Sequence, residues 1–382
     1  MNGFQFALRQ FRQHPGFTLV AVLTLALGIG ANTAIFSVIH AVLIRPFTYP
    51  EQERIVFISG ALRRNAEVTQ SVNHLDLRDW QAGATAFSGL GGAEDTQVVV
   101  TGPHDATRLK GANVSPSVLE LLQVKPVLGR LLLPSDDHPG AARVCVLSDR
   151  AWERFFQRAP DVVGKSVVLN GYSHEVVGVM PAHFKFWNAW FYMPLWAAIP
   201  EDIRNIRGVQ MDIWGIGRLK PGVSLEHATE DLDRIARRIE AEFPVENQDV
   251  TVRIRPLAET VGASLRPTLR LLFGAVGCVL LIACVNVTNL LLARGASRGR
   301  ELAVRAALGA TPGTLLRQLL AESFPLGLLA AVSGVALAWG GLQLILAIMP
   351  PDALPAESRV RLSLPVLAFT MVVSLGTALL AA

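Results

Sequence analysis

Charge is scarce in this chain: Asp, Glu, Lys and Arg make up 17% of its 382 residues, against roughly 25% in an ordinary soluble domain. Cysteine is scarcer still, at three residues, which excludes a disulfide scaffold, a class that needs Cys above about 8%. A net charge of +4 beside 51% hydrophobic residues excludes disorder, which requires low hydrophobicity with high net charge. No H-E-x-x-H or paired C-x-x-C occurs, so a zinc reading has no motif to rest on. A mean hydropathy of +0.37 argues against a purely soluble enzyme, and the apolar surplus must sit in particular segments.

Four runs contain no Asp, Glu, Lys or Arg: Gly16 to Ile44, Leu271 to Ala293, Ser323 to Pro351, and Leu362 to Ala382. Each reaches the roughly 20 residues that cross a hydrocarbon core as a helix. The first is about twice a signal-peptide apolar region and has no clean cleavage site, so it reads as an uncleaved anchor. Orientation follows from the short flanks, where Lys and Arg mark the cytoplasmic side. Arg9 and Arg12 precede the first run. Arg294, Arg298, Arg300, Arg305 and Arg317 lie between the second and third, against Glu301 and Glu322. The N-terminus is therefore expected inside and residues 45–270 outside.

These features predict a multi-pass α-helical membrane protein of four transmembrane helices, with a large α+β extracytoplasmic domain between helices 1 and 2. The expected organisation is a cytoplasmic amphipathic helix over 1–15, spans over 16–44, 269–293, 321–349 and 362–382, and a cytoplasmic segment over 294–320. An outer loop covers 350–361 and the outer domain covers 45–268, with a β-rich insertion at roughly 110–212.

Within the outer domain, Arg54 to Ile58, Val144 to Leu147, Trp214 to Leu219 and Thr251 to Ile254 read as strands. Ser71 is placed to cap a short helix through Trp80, and Asp149 to open another whose Trp152, Phe155 and Phe156 face inward. Ser166 to Leu169 and Glu175 to Val179 alternate around Asn170-Gly171, a strong hairpin signal. Leu225, Ala228, Leu232, Ile235 and Ile239 recur at helical spacing after Ser224.

Candidate chemistry in this region is weak. Ala159-Pro-Asp-Val-Val-Gly164-Lys165-Ser166 nearly matches a phosphate-binding loop, but its first glycine is missing and a hairpin follows where a helix should. Asp136, Asp137 and His138 are adjacent, which prevents convergence on one ion without distant ligands, so a solvated loop is expected. The acids of His74, Asp76 and Asp79 are expected to face water. Cys145 has no outward partner, and Cys278 and Cys284 lie roughly 600° apart around a helix. Phe184, Phe186, Trp187, Trp190, Phe191, Tyr192 and Trp196 form the densest aromatic cluster, read as the insertion's core in preference to an exposed ligand-gripping surface.

Asn286 and Asn289 lie inside the second span, where an amide needs an interhelical partner, and both are expected to face the bundle interior. Beyond it, Glu301 and Arg305 form an i, i+4 pair on a short helix with Leu302, stopped by Gly309, and Thr311 caps a new helix opening at Pro312. A compact Ala- and Arg-rich helix at the cytoplasmic face suits docking onto a soluble partner.

The stretch Ala283 to Pro312 resembles the segment joining the second and third spans of MacB/FtsX-type ABC-transporter permeases. Leu25 to Val38, Arg45 to Pro50, Val163 to Pro181 and Arg218 to Glu226 are similar to the same family, after an amphipathic start with Phe4, Leu8 and Phe11. The likeness covers essentially the whole chain and is greatest to the duplicated permeases, of which this chain reads as an N-terminal half or fragment. The resemblance implies four spans, a MacB-like periplasmic core domain and an inner-membrane location. It implies a non-catalytic subunit without cofactor or metal, working with an ABC ATPase on a separate chain, with membrane lipid, and with a second permease module or homodimer. A periplasmic adaptor or substrate protein is a further implied partner; nucleic acid is not. It places the ATPase contact at Arg298, Glu301, Leu302, Arg305, Leu308 and Gly309. Small residues Gly28, Gly30, Ala34, Gly334, Gly340 and Gly341 would permit close helix contacts, and Pro325 a kink. A membrane-anchored sensor or ligand-binding protein, and a membrane-tethered enzyme, are the competing classes.

Overall fold

The computed structural model describes residues 15–101, 106–209, 211–260, 265–297, 312–348, 360 and 362–380. The chain divides into two compact units, one formed by residues 45–261 and the other mainly by residues 1–44 and 262–382.

The second of these is helical. Helix α1 (Pro15–Ile39) ends in a π-helical turn, His40–Ile44. Three more long helices lie in this unit, Arg266–Ser297, Pro312–Ile348 and Leu364–Leu380, designated α7, α8 and α9 in chain order. Among the described residues, three segments are long and apolar enough to cross a membrane: Thr18–Ile44, Arg266–Asn289 and Gly327–Ile345. In α9 the apolar stretch Leu364–Ser374 is shorter. α8 begins at Pro312, as the N1 preference of proline predicts, and stays helical through Pro325.

The other unit is built on one sheet of eleven strands. In chain order β1 is Ile55–Leu62, β2 Asn65–Gln70, β3 Phe87–Thr101, β4 Ala106–Val114, β5 Leu128–Gly129, β6 Val144–Leu147, β7 Ser166–Leu169, β8 Tyr172–Val179, β9 Phe191–Pro194, β10 Ile213–Leu219 and β11 Val250–Pro256. The order across the sheet is β11-β1-β10-β3-β4-β9-β6-β8-β5, with β2 on β1 and β7 against β3 and β8. Pairing is antiparallel except at β4–β9 and β6–β8. The helices α2 (His74–Gly83), α3 (Pro116–Leu121), α4 (Asp149–Phe156), α5 (Leu225–Glu242) and α6 (Leu257–Thr260) complete the unit.

The expected insertion at 110–212 does not separate from the rest. β3 is fifteen residues long: its first half pairs with β10, and from Ala93 onward it pairs with β4. One strand therefore carries the sheet from one side of the unit to the other. Gly92 on β3 has no room for a Cβ, which would strike Leu77 of α2 and Leu195, so the helix lies directly on the strand. The hairpin at Asn170-Gly171 forms with both residues at positive φ, 51° and 81°, as a two-residue turn of this type requires.

Helix starts are set by side chains one or two residues from those expected. Asn73, not Ser71, caps α2 by accepting from Leu75 N–H at 2.9 Å, and Ser148, not Asp149, caps α4 by accepting from Ala151 N–H at 3.2 Å. Ser224 caps α5, whose Ala228, Leu232, Ile235 and Ile239 are buried with Trp80, Leu77 and Val56.

The segment 45–54 is bound tightly into this unit. Phe47 stacks on Tyr49 with centroids 4.9 Å apart, and the Tyr49 hydroxyl donates to the Lys185 carbonyl at 2.6 Å. Arg54 donates to the Leu219 carbonyl. Arg218, only 2% exposed, donates from Nε to Leu121 O at 2.6 Å and from Nη2 to Pro50 O at 2.9 Å, with Glu51 at 3.6 Å. Burial, aided by Arg54, lowers the Arg218 pKa, but a guanidinium stays charged in proteins. Arg218→Leu removes a charged donor from two carbonyls and is expected to cost on the order of 2 kcal/mol. Denaturant unfolding followed by tryptophan fluorescence checks this; an unchanged midpoint would refute it.

Candidate functional site

Two features decide what the helical unit can do: where its helices approach closely, and where it keeps polar groups. A Cβ on Gly30 of α1 would sit 2.8 Å from the carbonyl oxygen of Gly334 on α8, and one on Gly28 would sit 2.8 Å from Leu280 of α7. These glycines let α1 lie against both neighbours, as small residues do between membrane helices. Ala34 packs with Ala338 and Leu342. Gly340 and Gly341 face open space, against expectation, because the α1 seam lies on the Gly334 side of the helix.

The buried polar groups fall on α1 and α9. Asn32 Nδ2 donates to Gly28 O at 2.9 Å within α1 and to Val276 O at 3.1 Å on α7. The Thr33 and Thr370 hydroxyls meet at 3.0 Å between α1 and α9. Ser37 and Ser374 bond back to carbonyls four residues earlier. Phe36, Phe273 and Phe369 gather beside them, Phe36 stacked on Phe369 at 4.1 Å between centroids. Asn286 and Asn289, expected inside, are both exposed on α7; the buried face there carries Ala283, Cys284 and Val287. Sequence reading weighted the amides of the second span and passed over Asn32, although Asn32-Thr33 stands in an equally apolar run. Arg298, Glu301, Leu302, Arg305, Leu308 and Gly309 lie outside the described residues. Gly295 to Gly299 spells the G-x-S-x-G letters of a hydrolase elbow, but the residues leading into Ser297 are helical where an elbow needs a strand.

In the outer unit Asp76, Asp136 and Asp137, expected to be solvated, are buried, whereas Asp79 is half-buried and His138 exposed. Asp76, 5% exposed, accepts from Asn247 Nδ2 at 2.7 Å and from Arg207, whose Nη2 also donates to Asp79 at 2.7 Å. Burial raises the Asp76 pKa against these partners. Arg207 lies over the Phe243 ring at 4.3 Å. Asp136 is gripped by Arg130 Nη1 and Nη2 at 2.5 and 3.0 Å and by Leu133 N–H at 2.8 Å. Asp137 Oδ1 accepts from the amides of Trp196 at 2.6 Å and Ala197 at 3.2 Å. No group of metal-ligating side chains assembles among the described residues. The aromatic cluster is core where it is densest: Phe184, Phe186, Phe191 and Tyr192 are buried, while Trp187, Trp190 and Trp196 are half-buried. Cys145 is buried, and desolvation pushes its thiol up to about 12, which leaves it unreactive.

Burial pushes the Asp137 carboxyl up to about 6, with the Ala197 and Trp196 amides, neighbouring Asp136 and His138 as smaller influences. A carboxyl whose folded pKa exceeds its unfolded value of 3.8 takes up its proton first in the folded state. Its destabilising charge is therefore fully present above about pH 6 and relieved as pH falls toward 4. Asp137→Asn keeps an acceptor for both amides and is expected to flatten the parent's gain in melting temperature between pH 7 and pH 5. Identical pH profiles for parent and variant would refute the assignment.

Two family models match the chain: the MacB-like periplasmic core domain over residues 18–235 and the FtsX-like permease C-terminal region over residues 273–382. Among curated relatives, the pyoverdine export ATP-binding/permease protein PvdT of Pseudomonas savastanoi pv. phaseolicola is 24% identical over 221 residues, covering 56% of this chain and 32% of the relative. The uncharacterized ABC transporter permease YknZ of Bacillus subtilis is 24% identical over 263 residues, covering 67% and 60%. The macrolide export ATP-binding/permease protein MacB of Campylobacter jejuni is 25% identical over 245 residues, covering 61% and 35%. The chain thus spans about a third of the length of PvdT and MacB. Among solved structures, the periplasmic region of MacB from Actinobacillus actinomycetemcomitans aligns with a TM-score of 0.41 at 15% identity, over 61% of this chain and 97% of that one. With its first match reaching across more than half of the sequence and its second taking up the helical remainder, the chain belongs to the family of MacB-like periplasmic core domain proteins with an FtsX-like permease region.

Proposed function

We propose that this chain is the permease subunit of an ABC transporter. In this reading a nucleotide-binding subunit on a separate chain hydrolyses ATP, and the permease converts the ATPase motion into movement of its periplasmic domain, for efflux or mechanotransmission. The observation that carries it is the succession of the two family matches in permease order, 18–235 then 273–382. The name of YknZ specifies a permease alone, whereas those of PvdT and MacB also specify ATP binding; the present reading follows the first arrangement.

The accompanying topology has four spans, with α9 as the fourth, the N-terminus in the cytoplasm of a bacterial inner membrane, and residues 45–268 in the periplasm. Residues 294–320 form the coupling segment, in which Arg298, Glu301, Leu302, Arg305, Leu308 and Gly309 contact the ATPase. The segment is pushed when the ATPase dimer closes, and packed helices that have two discrete arrangements pass the displacement on. The exposed amides of Asn286 and Asn289 need partners in lipid, and a second permease module or a homodimer supplies them. A periplasmic adaptor or substrate protein acts on the outer face.

Leu308→Asp and Arg305→Glu are expected to abolish co-purification of an ABC ATPase from native membranes in mild detergent while membrane insertion is retained; undiminished ATPase recovery would overturn the coupling assignment. Topology has its own check. With Cys145, Cys278 and Cys284 replaced, a cysteine at Ser135 is expected to react with an impermeant maleimide in intact cells and one at Ser297 only after lysis. The reverse pattern would overturn the orientation.

A further inference from the structure

On the outer unit, α2 and the segments around residues 137 and 196–204 line a half-open cavity of about 300 Å³ whose walls include His74, Arg78, Asp137, His138, Trp196 and Arg204. Its size falls at the lower end of small-molecule sites, which combine an apolar surface with a few convergent polar groups.

Three of these side chains hold buried polar atoms that the protein does not satisfy. His74 is 1% exposed and Asp137 8%. The ring Nε2 of His74 lies 2.8 Å from the Arg204 carbonyl, which can only accept, so Nε2 carries the proton. Nδ1 is left without a protein partner, and in the neutral ring it is an acceptor. Asp137 spends Oδ1 on the Trp196 and Ala197 amides, and Oδ2 has no protein partner. Arg204 donates from Nη2 to Ile199 O at 2.9 Å, and its Nε has no partner. Buried polar groups are nearly always paired, so three unsatisfied side chains around one cavity call for a ligand.

The chemistry of that ligand follows from the set. Two acceptors, Asp137 Oδ2 and His74 Nδ1, match an ammonium group with its three N–H donors. The guanidinium groups of Arg204 and of Arg78, which is exposed, match a carboxylate. Half-buried Trp196 offers an apolar face. A simple anion would meet the arginines but be repelled by Asp137, and a simple cation would meet the reverse. We propose that this cavity binds a small amino-carboxylate, with ammonium and carboxylate close together as in an α-amino acid. The site requires no ATPase, so it stands or falls separately from the transport role proposed above.

Calorimetric titration of the full chain in lipid nanodiscs at neutral pH tests this with L-phenylalanine, N-acetyl-L-phenylalanine and L-phenylalaninamide. Phenylalanine is expected to saturate, and each masked form to bind at least about tenfold more weakly, as loss of one charge-assisted contact implies. Asp137→Asn is expected to erase the discrimination against the N-acetyl form. Arg78→Ala, at an exposed position that leaves folding intact, is expected to erase discrimination against the amide. Absence of saturation by phenylalanine below about 10 mM, equal binding of the three probes, or an Arg78→Ala variant that discriminates as the parent does would overturn the proposal.

Discussion

A buried guanidinium fixes the architecture of the outer unit. Arg218 stands on β10, inside the sheet, and its Nε and Nη2 donate to carbonyls from two other parts of the chain, Leu121 at the end of α3 and Pro50 in the segment that follows α1, while Glu51 stands 3.6 Å from Nη1. Withdrawing a full charge from water is costly unless it is paired and hydrogen-bonded, so the fold tolerates Arg218 only while those carbonyls and Glu51 are in place. The reverse also holds. Residues 45–50, carrying Phe47 and Tyr49 into the core, are an integral part of the domain.

The helical unit solves a related problem with weaker groups. In an apolar run, an amide or hydroxyl is stable only if it bonds its own helix or a neighbour. Asn32 does both, Thr33 reaches Thr370, and Ser37 and Ser374 bond back within their helices. Glycine at 28 brings α1 near enough to α7 for the Asn32 contact to form, and glycine at 30 brings it against α8. Short hydroxyl and amide contacts of this kind are individually modest, about 0.6 to 2 kcal/mol.

The sequence made legible those features whose cause is local. The apolar run at Gly16 to Ile44, the hairpin at Asn170-Gly171, the periodicity of α5 and the proline that opens α8 each depend on residues a few positions apart. Features decided by distant partners were misread. Asp76 looks like a solvent-facing helix residue until Arg207 and Asn247 arrive from far along the chain. Asp137 reads as part of an acidic loop because the amides it caps belong to Trp196 and Ala197. β3 escaped notice because its glycines at 89, 91 and 92, set by helices packed on the strand, break the alternation that marks a strand. Asn286 and Asn289 were given the interior role that Asn32 holds, since composition gives the presence of an amide in a span but not the direction it faces.

The unbroken sheet bears most directly on how the outer unit responds to force. A hinged insertion would let the 110–212 region swing independently and absorb displacement at its boundary. β3 forbids this, because its residues pair with β10 at one end and with β4 and β7 at the other, and bending it would break ladder hydrogen bonds along both edges. Packed cores resist continuous deformation, and the three that line this sheet share strands with one another. A displacement applied where Arg218 clamps residue 50 is therefore carried by the sheet to the β8–β5 edge without an intervening joint.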